Sequence, residues 1–166
     1  MKNTGDYSPP EKCIKKKRKK QQTQTQSQII KTEASMIESM VLEKLKEENT
    51  VIALIGASND KNKYGNKIYQ DLRTKGYNVV PINPKEELIE GDKAYPSIES
   101  MEKLPDIANF VVPPSIALKI AKHAFNLGVK HLWFQPGSES KDLDKWLQNE
   151  KEIKYLVNSC IMVETR

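Results

Sequence analysis

The residues best suited to chemistry in this chain are small and polar, and they follow a short apolar run. Residues 51–55 are Val, Ile, Ala, Leu and Ile, and Gly56, Ala57 and Ser58 come directly after them. An uninterrupted apolar run of this length predicts a buried parallel strand. A turn of small residues behind such a strand can present backbone N–H groups to a phosphate. The sequence therefore predicts an anion-binding turn directly after the first strand.

Two features expected of a dinucleotide-binding enzyme are missing around this turn. A Gly-x-Gly-x-x-Gly fingerprint needs further glycines, but the next glycine after Gly56 is Gly65. The acidic residue that would hold a ribose is also missing, because the second strand ends at Ile82 and Asn83 follows it. The sequence contains neither a Tyr-x-x-x-Lys pair nor a cluster with metal-ligand spacing. The pattern predicts phosphate recognition with no catalytic residue and no metal site.

Apolar runs that alternate with amphipathic stretches predict the elements that hold this turn. An amphipathic stretch behind Ser35 predicts a helix before the first strand. The remaining pattern predicts an α/β fold with an open, mainly parallel, doubly wound sheet. The expected strands are 51–55, 77–82, 106–112, 129–134 and 153–157. The expected helices are 64–75, 115–127 and 140–149, with an extended excursion at 88–95 and a short helical stretch at 98–103.

Prolines refine this arrangement at two places. Pro81 lies inside the second predicted strand and indicates an edge strand, because proline has no N–H to donate. Behind Pro113 and Pro114, Ser115 is a candidate N-cap for the next helix. That helix is expected to bury one apolar face, formed by Ile116, Ile120, Ala124 and Leu127.

The predicted topology also says where a ligand should bind. In a doubly wound sheet, ligands lie beyond the carboxyl ends of the strands, at the point where the strand order reverses. This rule brings the turns that follow four predicted strands into one crevice. The turns are 56–58, 83–85, 112–114 and 135–137.

Residues 1–33 differ in composition from the rest and are expected to form a disordered tail, which leaves 34–166 as one folded domain. A cationic run from Lys15 to Lys20 and the Gln-rich stretch behind it cannot bury apolar surface. Residues 1–30 hold eight Lys or Arg and two acidic residues, so the net charge of +5 belongs to the tail. The run fits a nuclear localisation signal, and it fits a low-complexity extension without an address function equally well.

Cysteine use and hydropathy indicate a cytoplasmic protein, with the nucleus as an alternative if the basic run is a signal. Cys13 and Cys160 lie far apart, outside any metal-binding spacing, which suits a reducing compartment. No run approaches the roughly 18 consecutive apolar residues of a membrane helix, so no membrane partner is expected. The nearly neutral domain is not expected to bind nucleic acid. The pattern does not define the oligomeric state.

Five blocks, in this order and spacing, carry a family resemblance that spans residues 43–164. They are LIGAS at 54–58, NKYGNKIY at 62–69, GYNVVPINP at 76–84, WFQPGSES at 133–140 and CIMV at 160–163. Together they resemble the small stand-alone CoA-binding proteins, which are similar to the N-terminal domain of the succinyl-CoA synthetase alpha subunit. The resemblance implies a Rossmann-type fold, related to the NAD(P)-binding folds, whose ligand is coenzyme A or an acyl-CoA.

The resemblance also implies roles for individual residues. The turn after the first strand would bind the CoA phosphates, with lysines beside it, and two further loops would flank the adenine or pantetheine. The phosphate residues would be Gly56, Ala57, Ser58, Asn59, Lys63, Asn83, Pro84 and Lys85. Val112 and Pro113 would form one wall, and Phe134, Gln135, Pro136 and Gly137 would form the opposite wall.

Each of these positions also has a purely structural interpretation. Gly56 and Gly137 would suit tight turns, Lys63 and Lys85 would be ordinary solvated cations, and the prolines would shape loops. Cys160 would form a mixed disulfide with CoA if it were exposed near the pantetheine thiol, and would be an inert buried thiol otherwise.

Three functions therefore stay open at this point. The first is a non-catalytic module that binds CoA or an acyl-CoA as a carrier, sensor or regulatory subunit. A ligase is disfavoured, because the resembling synthetases hold their phosphorylated histidine and ATP-grasp machinery in further domains that 166 residues cannot accommodate. The second is an NAD(P)-binding oxidoreductase of Rossmann type. The third is an interaction scaffold whose nucleotide site is vestigial.

Overall fold

The computed structural model describes residues 11–165, with side chains described for residue 26 and for 28–165. The chain divides into two compact units, Met1–Met36 and Ile37–Arg166, and one helix, α1 (Glu11–Lys46), runs from the first into the second. The described part of the first unit is helical, although the sequence predicts disorder up to residue 33. Lys, Arg and Gln lose little side-chain freedom in a helix, and every described side chain of this unit is exposed. Disorder of the tail stays a prediction. Cys13 and the run from Lys15 to Lys20 lie outside the described side chains.

The second unit is built around a parallel sheet of five strands. Its strands, with those of a two-stranded antiparallel excursion, are β1 (Val51–Ile55), β2 (Asn78–Ile82), β3 (Leu88–Ile89), β4 (Asp92–Lys93), β5 (Ile107–Phe110), β6 (His131–Phe134) and β7 (Lys154–Val157). The order in the main sheet is β2-β1-β5-β6-β7, with every neighbouring pair parallel, and β3 pairs with β4 outside it. The predicted α/β class and mainly parallel sheet are confirmed. Pro81 lies in β2, an edge strand, as predicted.

Helices cover both faces of this sheet, as a doubly wound fold requires. They are α2 (Tyr64–Thr74), α3 (Pro114–Asn126), α4 (Lys141–Asn149) and α5 (Ile161–Glu164), with a 3₁₀ turn at Ile98–Ser100. One core cluster joins α2, α5 and the end of α1 to one face, and a second joins α3 and α4 to the other. Among the helices described between residues 11 and 165, none is both long and apolar enough to cross a membrane.

The expectations for α3 were wrong for its N-cap and for Ile116, whereas Ala124 is buried and Ile120 and Leu127 pack against the core as predicted. Pro113 is the N-cap, and the helix begins at Pro114, because proline suits the first helical position where no N–H donor is needed. Ser115 is therefore inside the helix. The buried face consists of small residues, Ala117, Ala121 and Ala124, which allow α3 to lie close to the sheet. Ile116 is 46% exposed and does not belong to this buried face.

The strand order reverses beside β1. The chain leaves β1 through α2 to reach β2 on one side, and it later returns to β5 on the other side of β1. The connections diverge there, which opens a crevice at the carboxyl ends of these strands. The predicted phosphate turn, directly after β1, lies at this crevice.

Candidate functional site

A cavity of about 800 Å³ opens at the carboxyl ends of β1, β2 and β5. Its floor is formed by the last residues of the strands, including Ile55 and Ile82, and its rim is formed by the turns that follow them. Nine of the fourteen residues predicted for the ligand site line it. They are Gly56, Ala57, Ser58, Lys63, Asn83, Pro84, Lys85, Val112 and Pro113.

Two glycines make the turn after β1 unusually tight. Gly56 has a φ of +95°, and a Cβ atom built there would lie 2.6 Å from the carbonyl oxygen of Val111. A Cβ atom on Gly65, in the first turn of α2, would collide with the carbonyl oxygen of Gly56. Both residues therefore allow close backbone approach. The Gly56 N–H donates to the Ile82 carbonyl at 3.1 Å, so this donor holds the turn to β2.

A network of side chains fixes the same turn to the loop after β2. The Glu86 carboxylate accepts hydrogen bonds from the Ser58 hydroxyl at 3.1 Å and from the Asn59 backbone N–H at 3.0 Å. The Asn83 side-chain amide donates to the Ala57 carbonyl at 2.8 Å. The buried Asn66 amide donates to the Ser58 carbonyl at 2.8 Å. This network, which we call the Glu86 brace, lets the two loops form one rigid wall of the cavity.

Asn59 belongs to the brace and does not line the cavity. Its side-chain amide donates to Glu86 and to the Leu88 carbonyl, and its side-chain oxygen accepts from the Glu90 N–H at 2.9 Å. Its backbone N–H and both polar atoms of its side chain are thus engaged with the loop after β2. The structure places Asn59 behind the wall of the cavity, where it supports the residues that face inward.

Two lysines face the cavity at this wall. Lys63 is the N-cap residue of α2, and Lys85 follows the β2 strand by three residues. Both are exposed, and within the described residues neither forms a salt bridge with a carboxylate. The Lys85 backbone N–H donates to the Asn83 side chain at 2.8 Å, which fixes the start of this loop. Both ammonium groups are available for an anion in the cavity.

The four residues predicted for the opposite wall do not line this cavity. Phe134 is buried and stacks on Phe110, with ring centroids 4.6 Å apart. Gln135 is also buried, and its amide donates to Asn109 at 2.9 Å. Pro136 and Gly137 are exposed at the carboxyl end of β6, where the Gly137 N–H donates to Glu139.

Sequence reasoning missed a second group of cavity residues, on α3 and on the segment that precedes β5. They are Pro96, Ser97, Ile98, Glu99, Ile116, Lys119, Ile120 and His123. The four from α3 have the spacing of a single helical stripe. That periodicity is visible in the sequence and predicts two core isoleucines, of which Ile120 does pack against the core while Ile116 is exposed. The stripe of Ala117, Ala121 and Ala124 packs on the sheet, and its spacing was the signal that distinguishes the core face of α3 from the face toward the cavity.

Glu99 and His123 contact each other at this end of the cavity. His123 Nε2 lies 3.2 Å from Glu99 Oε2, and both side chains are about half exposed. A hydrogen bond from its own backbone N–H lowers the pKa of Glu99, and the Ser97 side chain and His123 lower it further, against a smaller opposing effect of burial. Glu99 is therefore an ionised carboxylate at neutral pH.

Other candidate residues lie elsewhere. Cys160 is a free, half-buried thiol that does not line the cavity. Trp133 is fully buried, as expected for a core residue, and its indole N–H donates to the Ser159 carbonyl at 2.8 Å. Within the described residues, no group of three or more His, Cys, Asp or Glu side chains could hold a metal ion.

A parallel sheet with this strand order and a cavity at its reversal point defines a nucleotide-binding α/β domain. The chain belongs to the CoA binding domain family, whose model matches residues 50–166. Coenzyme A is accordingly its cofactor, and the resemblance drawn from the five sequence blocks is confirmed.

Known proteins from archaea show the same relationship. The alpha subunit of ADP-forming acetate–CoA ligase II from Pyrococcus furiosus is 32% identical over 103 residues, which are 61% of this chain and 22% of the subunit. A conserved hypothetical protein from Pyrococcus furiosus is 46% identical, with a TM-score of 0.66 over 69% of this chain and 98% of that one. An acetyl-coenzyme A synthetase from Ca. Korarchaeum cryptofilum, solved with phosphate and ADP, is 28% identical, with a TM-score of 0.62 over 70% of this chain and 27% of that one. The chain thus spans about a fifth of the curated ligase subunit that it matches.

Proposed function

We propose that this domain binds CoA or an acyl-CoA with the nucleotide half in the cavity, and that it acts as a non-catalytic carrier, sensor or regulatory module. One observation carries the proposal: two lysines, which form no salt bridge with any described carboxylate, face a cavity at the strand-order reversal of a CoA binding domain. The cavity volume of about 800 Å³ lies within the range of roughly 300–1,000 Å³ that is typical of small-molecule sites.

The charges suggest where each part of CoA lies. The diphosphate would lie beside Ser58, Lys63 and Lys85, at the wall that the Glu86 brace makes rigid. A charge-assisted hydrogen bond contributes about 1.5–3 kcal/mol when shielded from water. Because both lysines are exposed, each contact would contribute closer to about 1 kcal/mol. Affinity would then come from several modest contacts together with burial of the base.

The remaining predicted residues fit a path for the pantetheine arm. In folds of this kind the ribose lies at the end of the second strand, and the cavity is lined from β1, β2 and β5. The adenosine would therefore occupy the cavity and the pantetheine arm would leave it across the ends of β5 and β6. Pro136 and Gly137 would flank that path, while Phe134 and Gln135 would support it from beneath.

The polar groups of the cavity favour binding over catalysis. Lys63 and Lys85 are exposed, and the Asn83 amide donates to the Ala57 carbonyl and to Glu86. The Ser58 hydroxyl donates to the Glu86 carboxylate, which also accepts from the Asn59 N–H, so this contact holds the turn in place. His123 is paired with a carboxylate, Glu99.

Isothermal titration calorimetry of the 166-residue chain with CoA, acetyl-CoA, NAD and NADP tests this function. We expect heat of binding with CoA and acetyl-CoA, and much weaker binding of NAD and NADP. A ligand at 100 times its dissociation constant should also raise the unfolding free energy by about 2.7 kcal/mol. Binding of NAD or NADP alone would contradict the proposal, and no binding at all would favour a scaffold with a vestigial site. Release of a chemically altered CoA or acyl group after incubation with acetyl-CoA would contradict the non-catalytic role.

A further inference from the structure

The part of the cavity beside α3 carries a polar pair, Glu99 and His123, that phosphate binding does not use. Here the cavity runs between α3 and the segment that contains the 3₁₀ turn. Six residues form this part, which we call the α3 groove. They are Ile98, Glu99, Ile116, Lys119, Ile120 and His123.

The polarity of the α3 groove suits a mostly apolar group with a polar edge. Ile116 and His123 are seven residues apart on α3, which places them about 10 Å apart along the helix axis. The isoleucines contribute apolar walls, while Glu99 and Lys119 contribute an acceptor and a donor. An aromatic ring with a hydrogen-bonding edge is the kind of group that such a slot accepts.

The Glu99 carboxylate is held in a defined position at this slot. His123 Nε2 contacts one of its oxygens, Oε2, at 3.2 Å. Because an ionised carboxylate has two oxygens and about four acceptor sites, Glu99 can accept further hydrogen bonds. Nothing in the phosphate wall requires this acceptor, since CoA phosphates are acceptors themselves.

The adenine of CoA presents the complementary pattern. Its exocyclic amino group is a donor, and the adjacent ring nitrogens are acceptors. Guanine presents an oxygen acceptor at the corresponding position, which an ionised carboxylate would repel. Because the ribose is expected at the β2 side of the cavity, the base attached to it reaches the α3 groove.

We propose that Glu99 accepts a hydrogen bond from the exocyclic amino group of the adenine of CoA, and that His123 positions the carboxylate for this contact. The inference rests on the proposed binding of CoA in this cavity. Glu99 is thereby a specificity-determining residue for the base.

The test compares CoA with 1,N6-etheno-CoA, in which a ring bridge removes both hydrogens from the amino group. Dissociation constants for both ligands are measured by calorimetry on the full chain, for the unmodified protein, Glu99→Gln and His123→Gln. Glu99→Gln has nearly the same shape, so it separates the loss of charge from a change in space. Glu102→Gln is the matched control, because Glu102 lies three residues away, is 85% exposed and does not line the cavity.

For the unmodified chain we expect CoA to bind about tenfold more tightly than the etheno analogue, as loss of one hydrogen bond to a charged acceptor predicts. Glu99→Gln should weaken CoA about fivefold and leave the etheno analogue within twofold. His123→Gln should also reduce the preference for CoA over the etheno analogue, by a smaller factor. Glu102→Gln should preserve that preference.

Two results would overturn the inference, and they are distinguishable. If CoA binds but Glu99→Gln weakens both ligands equally, or neither, Glu99 does not read the amino group, and the proposed function stands. If the unmodified chain binds neither ligand, the proposed function fails and the inference fails with it.

Discussion

Asn59 donates two hydrogen bonds to the carboxylate of Glu86, one from its backbone nitrogen at 3.0 Å and one from its side-chain amide at 2.6 Å. The contact joins the turn after β1 to the loop after β2, across 27 residues of sequence. Both loops carry residues that face the cavity. The shape of the candidate site therefore depends on a carboxylate that does not face the cavity itself.

Removal of this carboxylate should loosen both loops. Glu86→Ala leaves the Ser58 hydroxyl and the Asn59 N–H without their acceptor, and we expect the unfolding free energy to fall by about 1–2 kcal/mol. Affinity for CoA should fall as well, because Ser58 is no longer held. Urea denaturation and calorimetry measure the two effects. Glu87→Ala is the matched control, since Glu87 is exposed and its side chain forms no hydrogen bond in the described structure. Equal stability of the two variants would contradict the role of the brace.

Gly65→Ala sets helix propensity against close packing. Alanine in place of a helical glycine normally stabilises a protein by about 0.5–1 kcal/mol. Here the added Cβ would collide with the carbonyl oxygen of Gly56, and we expect destabilisation by about 2–3 kcal/mol. Thermal denaturation shows whether the substitution raises or lowers stability, and Lys67→Ala on the exposed face of α2 is the control. A higher melting temperature for Gly65→Ala would show that the turn is less tight than described.

The lysines of the phosphate wall should contribute to CoA binding in a salt-dependent manner. Because Lys85 is exposed, Lys85→Ala should weaken CoA about three- to tenfold at low ionic strength, and less in high salt. Lys67→Ala removes an exposed lysine that does not line the cavity, and it should leave the affinity unchanged. Calorimetric titrations with CoA at two salt concentrations compare the two variants. Equal losses in both variants would indicate a general effect of charge and would remove Lys85 from the site.

His131 should make the fold sensitive to mild acid. Burial lowers the pKa of this imidazole, with a further lowering from the nearby Lys44. The unfolded chain, with a pKa near 6.5, then binds more protons than the folded chain between that value and the folded pKa. The contribution of His131 to stability is therefore fully retained above about pH 6.5 and is lost progressively below it. Melting temperatures at pH 7.5 and 5.5 should differ less for His131→Gln than for the unmodified chain. An identical difference in both proteins would exclude His131 as the cause of the acid sensitivity.

Much of the fold could be predicted because burial leaves a direct pattern in the sequence. The run at 51–55 is buried on both faces of the sheet and became β1 with the expected bounds. The proline in β2 correctly indicated an edge. The start of α3 was misplaced because serine is a common cap, whereas Pro113 and Pro114 already satisfy the geometry of a helix start.

The site was harder to predict, since a sequence shows which residues are polar but not which way they point. Asn59 and Ser58 are neighbours with similar hydrogen-bonding groups, yet only Ser58 lines the cavity. Glu99 lies 17 positions after the end of β2, and only the path of the chain through β3, β4 and the 3₁₀ turn brings it to the cavity. The prediction that Ile116 is a core residue failed because periodicity cannot distinguish a core from an apolar ligand groove.

A crystal structure of the full chain with CoA tests the central claim most directly. We predict the adenosine in the α3 groove, the diphosphate beside Ser58, Lys63 and Lys85, and the pantetheine arm passing over the carboxyl ends of β5 and β6. Electron density for CoA at another surface, with the cavity at the ends of β1, β2 and β5 empty, would contradict the account.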